Sequence, residues 1–320
     1  MKFAHSNIVS ILACAAIGAA LGAQAAGYPD RPIKMIVPWA AGGDTDNIFR
    51  PFAPPLQKAL GGATVVIANV GGASGTVGAR EAKGSPPDGY TLYAVHDYIH
   101  STYYTGVSDV NYWDFEPVCL ITETPSILTA SPKTSWKTLK EMIDDAKARP
   151  GQITVGATLG STSHFFPALV EKAAGIKFKY VSYDGLAQRM NAILGGHTDL
   201  TDGNLTQKGK VDAGQLKFLA IATEKRSPEL PNVPTFKELG YNVIYAVSRG
   251  IMVPKGTPAD VVGKLEGACA QATKDPGFAQ SMKVQGTDVR YLDRKGFADF
   301  LKQNDALNKD MSRDLGLLKR

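Results

Sequence analysis

The sequence predicts an α/β protein of two domains, and three observations carry that reading. Short runs rich in β-branched and aromatic residues alternate with stretches of helical periodicity. Several turns from strand to helix are glycine-rich, and 320 residues suit about two domains. Strands and helices in that order imply a parallel sheet covered by helices.

The first units are compact. Residues 33–37 read as a buried strand, 46–60 as a helix closed by Gly61 and Gly62, and 64–68 as the next strand. A glycine-rich turn and a short helix to Lys83 follow, then the turn Pro86-Pro87-Asp88-Gly89 and a strand over 90–95. A second set begins with a strand over 126–130 and a helix over 135–148 with Ser135 as its N-cap. Strands over 153–157, 179–182 and 198–202 alternate with helices over 161–174, ended by Gly175, and 186–194. Residues 216–223 and 241–247 read as further strands, and the tail from Pro258 as mostly helical, including 259–273 and an amphipathic 295–309. Two chain crossings, near Ile121–Pro125 and near Val247–Met252, divide the chain into a first domain of 26–123 with 250–320 and a second of 124–249.

Residues 1–25 precede the fold. One lysine and no acid in the first seven residues, an Ala-rich apolar run over 8–22 and Ala23-Gln24-Ala25 follow the order of a secretory signal peptide, with cleavage after Ala25. The run is too short and Ala-rich to span about 30 Å of hydrocarbon comfortably. A lipoprotein reading at Cys14 is weakened by the apolar residues that continue past it.

Lysine and arginine number 35 against 30 acids, a net charge of +5 that falls to +4 (5 − 1) when Lys2 leaves with the leader. No basic block stands out, so nucleic-acid binding has little support. Cys119 and Cys269 remain. Export permits a disulfide between them, but two separate buried thiols are the expectation from spacing alone. His96, His100, His164 and His197 fall at no metal-ligand spacing, and no metal or other cofactor is expected.

Three turns are candidate anion sites. Trp39-Ala40-Ala41-Gly42-Gly43-Asp44-Thr45 runs from a strand end into a helix start, with Thr45 or Asp46 as cap. Glycine lets backbone approach a ligand, and the first helical turn presents unpaired N–H donors and a partial positive charge. An ordinary strand-to-helix turn explains the same residues equally well. The second turn, Gly71 to Gly78 with Gly72, Ala73 and Ser74, has GxxGxxG spacing rather than the dinucleotide GxGxxG, with Asp97 as the acid such a site needs. A backbone nest suits it better. The third, Gly160-Ser161-Thr162-Ser163-His164, offers three hydroxyls at a helix start, or simple capping by one of them. No GxSxG, SxxK or HExxH pattern supports an enzyme, although Ser161, His164 and Asp202 are chemically adequate for a dispersed triad.

An ordered series of short motifs runs through the mature chain. It opens with Tyr28-Pro29-Asp30-Arg31-Pro32-Ile33 and Val37-Pro38-Trp39-Ala40-Ala41-Gly42-Gly43, then Gly72-Ala73-Ser74-Gly75 and Pro87-Asp88-Gly89-Tyr90-Thr91-Leu92. It continues through Gly160-Ser161 with His164, Tyr183-Asp184-Gly185, Leu194-Gly195-Gly196, Leu230-Pro231-Asn232-Val233-Pro234-Thr235 and Pro254-Lys255-Gly256-Thr257-Pro258. The series resembles tripartite tricarboxylate transporter substrate-binding proteins, the Bug family. The resemblance implies a type II periplasmic binding fold, two doubly wound α/β domains joined by two crossing strands that close on a ligand. It also implies that the loop after the first strand and the Gly160–Ser163 helix start hold a carboxylate, that Asp202 faces the cleft, and that the loaded protein is presented to a membrane transporter. Ligands of the family include di- and tricarboxylates, aromatic acids, amino acids and nicotinate-like compounds.

Two departures bear on specificity. Ser248-Arg249-Gly250 stands where many members carry a Trp-aromatic-Gly triplet, and Val181-Ser182-Tyr183 lacks the usual proline. Arg249 near a crossing suits either a bidentate pair with a second ligand carboxylate or a structural salt bridge. Trp39, His96, Tyr98 and Tyr183 together suggest an aromatic lining and an aromatic acid. Asp44 disfavours a carboxylate unless it points away. The expectation is a periplasmic, monomeric, non-catalytic receptor that delivers a small carboxylate to membrane subunits of a tripartite transporter. The alternatives are a ligand-presenting component of a sensor, or a hydrolase on the same fold.

Overall fold

A computed structural model of the chain describes residues 27–320, and the leader expected over 1–25 lies outside them. Strands covered on both faces start the first sheet. β1 (Ile33–Val37) is buried at four of five positions and β3 (Thr91–His96) at all six, so both read as near-continuous apolar runs. β2 (Val65–Asn69) and β3 flank β1 in parallel. Between them α1 (Asp44–Ala59) turns Ile48, Phe49, Phe52 and Leu56 inward, and α2 (Thr76–Lys83) and α3 (Tyr98–Tyr104) follow.

The chain leaves this sheet on β4 (Phe115–Pro125), passes Ser126 and enters β5 (Ile127–Ala130) of a second sheet. There α4 (Leu139–Ala148), β6 (Thr154–Ala157), α5 (Thr162–Ala174), β7 (Lys179–Ser182), α6 (Leu186–Gly195), β8 (Leu200–Gly203), α7 (Lys208–Asp212) and β9 (Lys217–Ile221) follow in turn. The return is β10 (Ala246–Pro254), paired with β4 from Ala246 opposite Pro125 to Pro254 opposite Phe115. The tail adds α8 (Ala259–Ala272), α9 (Pro276–Val284), β11 (Asp288–Leu292) and α10 (Arg294–Asp314) to the first sheet's layer. Strand order is β11-β4-β10-β3-β1-β2 in the first sheet and β7-β6-β8-β5-β9 in the second. Each sheet has its own core: Phe49, Phe52, Tyr93, Ile251 and Phe297 belong to one, Leu128, Val155, Phe166 and Phe236 to the other.

The sheets are mixed rather than parallel. The chain goes out on β4 and returns on β10, so β10 runs antiparallel to both β4 and β3, and β5 runs antiparallel to β8 and β9. The first helix of the second lobe starts at Leu139, not at residue 135, because the Thr138 hydroxyl accepts the Glu141 N–H at 3.2 Å. Residues 241–245 are not a strand; β10 begins at Ala246. The tail carries a strand, β11, between its helices.

Cys119 and Cys269 are joined in a disulfide, which corrects the expectation of two separate thiols. β4 and α8 pack against each other in one core and bring the two Cα atoms to 6.6 Å across 150 residues of sequence, a proximity no local pattern encodes. Closing so long a loop restricts the unfolded chain. Replacing both cysteines with serine should therefore lower unfolding stability by about 2–4 kcal/mol in chemical denaturation. A loss below about 0.5 kcal/mol would contradict a stabilising crosslink.

Candidate functional site

The turn after β1 is fixed by one acid. Asp46, two residues into α1, accepts the Gly42 N–H at 2.9 Å, the Arg50 guanidinium at 2.6 Å and the Asn69 amide at 3.0 Å. Burial alone would raise the Asp46 pKa, but these donors outweigh it and hold the carboxyl below its ordinary range. Gly42 takes φ 73°, and Gly43 occupies the cap position without a side-chain cap. Neither Thr45 nor Asp46 caps the helix, so the first turn of α1 opens into the space between the two sheets. The Trp39 ring lies beside that turn, stacked on His96 with centroids 5.4 Å apart and edge-on to Tyr98 at 5.2 Å. The indole Nε1 is buried with no hydrogen-bond partner among the described residues.

Two helix starts face it from the second lobe. β6 leads through Gly160, at φ 76°, to the start of α5, where Ser161 holds the cap position with no side-chain cap bond. Ser163 instead folds back, its Oγ accepting the Thr158 N–H at 3.0 Å. β7 leads to Gly185, at φ 103°, and α6. The Thr158 hydroxyl accepts both the Gly185 N–H at 3.1 Å and Arg189 Nη1 at 2.9 Å, locking the two starts side by side. A side chain at Gly185 would approach the Trp39 ring to 3.8 Å, so the lobes are close there.

The starts of α1, α5 and α6 enclose a cavity of about 70 Å³. One water needs about 10–15 Å³ on that measure, so a solute of several heavy atoms fits. Of the sequence candidates, Trp39, Ala40, Gly43, Asp44, Thr45, His96, Ser161, Thr162, Ser163, Asp202 and Arg249 line it. Ala41, Gly42, Gly72, Ala73, Ser74, Gly160, His164 and Tyr183 do not. Ser74 instead reaches across to the second lobe, its hydroxyl donating to the Leu159 carbonyl at 3.2 Å. His164 accepts the Gly160 N–H on Nδ1 at 3.2 Å and packs edge-on against Tyr180. Burial lowers its pKa to about 4, so the ring is a neutral support for the turn. Ser161, His164 and Asp202 make no triad, because the Ser161 hydroxyl faces Ser163 and His164 Nδ1 is taken by backbone. Of four rings expected to line the site, Trp39 and His96 do so. Tyr98 backs Trp39, and Tyr183 lies outside the lining.

The dinucleotide reading of the second turn also fails on geometry. Asp97 accepts the Ser248 N–H at 2.7 Å and the Asn304 amide at 2.5 Å, and burial pushes its pKa up to about 7. Its carboxylate joins β10 and α10 and does not line the cavity.

Charges pair within the walls. Arg249, 2% exposed, holds Asp44 and donates to Thr124 Oγ1 at 2.8 Å, the Val247 carbonyl at 3.3 Å and Thr45 Oγ1 at 3.4 Å. Of the two roles open to Arg249, the ion pair is the one present. Asp44 therefore points at Arg249, and its second oxygen accepts the Asn204 amide of the other lobe at 2.7 Å. Burial, then Arg249 and Arg189, lower the His96 pKa well below its ordinary value. Its Nδ1 accepts the Tyr98 N–H at 3.2 Å, so the neutral ring carries its proton on Nε2.

Sequence reasoning missed the α6 start: Asp184, Gly185, Leu186, Ala187, Gln188 and Arg189, together with Thr158 and Val247, complete the lining. The usable signal was Arg189 itself, which shares a helix face with the apolar Met190 and Ile193. An arginine on an apolar face requires an internal partner. Arg189 is 5% exposed, its Nη2 stands 3.6 Å from Asp202 Oδ2, and its Nε has no partner among the described residues. Asp184 adds one buried carboxylate oxygen, likewise without a partner.

The chain matches the model of the tripartite tricarboxylate transporter family receptor over residues 48–317. It is 32% identical over 284 residues to the protein BugT of Bordetella pertussis, with 86% of each chain covered. Among solved structures, it resembles the periplasmic binding protein BugD with a TM-score of 0.86 at 32% identity, covering 92% of this chain and all of that one. It resembles MatC of Rhodopseudomonas palustris, solved with bound malate, with a TM-score of 0.82 at 26% identity over 89% of this chain and 99% of that one.

The buried acid of the cavity gives a pH test. Burial pushes the Asp202 pKa up to about 6, with Arg189 pulling it down and Asp44 adding to the rise. Its unfolded value is about 3.9. The folded state thus holds the proton more tightly, and the group's cost to stability, present above about pH 6, is relieved as pH falls towards about 4. A carbon-13 titration of the Asp202 carboxyl should show a midpoint near 6. Arg189→Gln, which removes the neighbouring cation, should raise it. A midpoint at the unfolded value would contradict the burial described.

Proposed function

Because the chain belongs to the tripartite tricarboxylate transporter receptor family, whose members are periplasmic solute-binding proteins and not enzymes, we propose that it captures a small carboxylate between its lobes. In this reading the loaded protein is handed to the membrane subunits of a tripartite transporter. The leader over 1–25 directs export, and the lobes are 26–123 with 250–320, and 124–249. The mature receptor acts as a monomer.

The observation that carries the ligand class is a surplus of donors around one cavity. Three helix starts and the Trp39 indole N–H present hydrogens without acceptors among the described residues, and three helix dipoles add positive potential. A carboxylate supplies up to four lone-pair sites and the complementary charge. Thr45 and its neighbours grip it from one lobe, Thr162, Ser163 and Ala187 from the other. The Asp184 oxygen accepts a hydroxyl or amino proton carried by the same solute. The malate-bound relative MatC supports an acid of this kind. Ala41 and Gly42 shape the first turn, and Gly72 and Ala73 shape the turn that carries Ser74; Ser74, donating to Leu159, and Gly160, close against Thr105, bring the lobes together. Asp44 and Arg249 neutralise each other, so neither repels nor binds the anion directly.

A thermal-shift series of small carboxylates tests the reading. A cognate acid at ~100 times its Kd should add ~2.7 kcal/mol of stability. Trp39→Phe keeps the ring against His96 and removes the N–H. A hydrogen bond to a charged group contributes about 1.5–3 kcal/mol, so affinity should fall about 10-fold or more in calorimetry. Stabilisation by no carboxylate, or unchanged affinity in Trp39→Phe, would count against it.

A further inference from the structure

The cavity holds two arginines in different states. A guanidinium has five N–H donors. Arg249 places four of its hydrogen bonds on Thr45, Thr124, Val247 and Asp44. Arg189 makes one, to Thr158 Oγ1. Its remaining donors include a buried Nε with no partner among the described residues, on a side chain that lines the cavity. Asp202 lies alongside at 3.6 Å from Nη2, which orients the guanidinium by charge without forming a hydrogen bond to it. Arg189 sits in the second lobe, whereas the buried Trp39 Nε1, also without a partner among the described residues, sits in the first.

We infer that Arg189 is the specificity determinant of the site: its open guanidinium edge takes the second carboxylate of a dicarboxylic acid whose first carboxylate lies at the helix starts. The inference rests on the reading of the cavity as a carboxylate receptor and adds which acids it prefers. Charge balance supports it. Arg249 and Asp44 cancel, and the helix starts offer only partial positive charge. A second anionic group needs a further cation, which Arg189 supplies when Asp202 is displaced from its influence. The tendency of Asp202 to protonate at about pH 6 lowers the cost of that exchange. A planar fork facing a carboxylate makes two parallel hydrogen bonds, a geometry that lysine or glutamine cannot reproduce.

Calorimetric titration of the mature protein with matched pairs of equal chain length decides the matter: succinate against butyrate, adipate against hexanoate, and phthalate against benzoate. Wild type should prefer the diacid in at least one pair. Arg189→Gln should lower affinity for that diacid by about 10–100-fold, the range expected for a charge-assisted pair, and for its monoacid by less than about 3-fold. Retained monoacid binding shows that the variant's site is intact. If Arg189→Gln does not fold, Arg189→Lys keeps the charge and should still lose most of the diacid preference. Equal losses on both acids, or a wild type that prefers the monoacid throughout, overturn the inference and leave the receptor reading standing. A wild type that binds none of the acids overturns the receptor reading itself.

Discussion

The structure depends on three helix starts that converge on one cavity between the two sheets. The first N–H groups of a helix have no acceptor within the helix, and a buried donor left unpaired costs about 1–3 kcal/mol. Most proteins send such ends to the surface or cap them with a side chain. Here α1, α5 and α6 begin at the cleft without side-chain caps, at Gly43, Ser161 and Gly185. Glycine at two of these caps keeps the wall thin, and Ser161 turns its hydroxyl to Ser163 rather than to its own helix. The unmet demand for acceptors suits this space to an anion, and because it lies in the backbone it is fixed in direction.

That arrangement would favour any anion, so the side chains refine it. Asp46 immobilises the loop through Gly42 and Asn69 from below, and Thr158 ties α5 to α6 by accepting from both Gly185 and Arg189. Asp44 is negative at the mouth of a positive helix, but its charge is paired with Arg249, and its other oxygen accepts from the Asn204 amide. Asn204 belongs to the opposite lobe, so this contact exists only when the lobes are together. The Asp44 carboxylate thus converts a possible repulsion into a link across the cleft.

Much of the fold is legible in the sequence for a simple reason. Strands buried on both faces read as apolar runs, and β1 falls on the residues expected; β7, a half-exposed edge strand, also does, because Tyr180 and Val181 favour extended backbone between turns. β4 hides because Glu116, Pro117 and Glu123 interrupt its apolar run, and its long register is set by β10, far away in sequence. α3, with the sequence Tyr-Ile-His-Ser-Thr-Tyr-Tyr, has no helical amphipathicity. Its partners are tertiary, through His100 and Tyr104 bonding Asp305 of α10. At the site, the turns after β1 and β6 were visible as glycine and hydroxyl clusters. The α6 start was not, since Gly185-Leu186-Ala187-Gln188 carries no anion-binding chemistry except its backbone. The disulfide belongs to the same class of long-range facts.

The most direct test of the central claim follows the backbone amides themselves. In a nitrogen-15 titration with a bound carboxylate, the N–H resonances of Thr45, Thr162, Ser163 and Ala187 should shift together along one isotherm, since one anion fills donors of both lobes. Shifts confined to the helix starts of a single lobe, or absent from all four amides, would contradict the account.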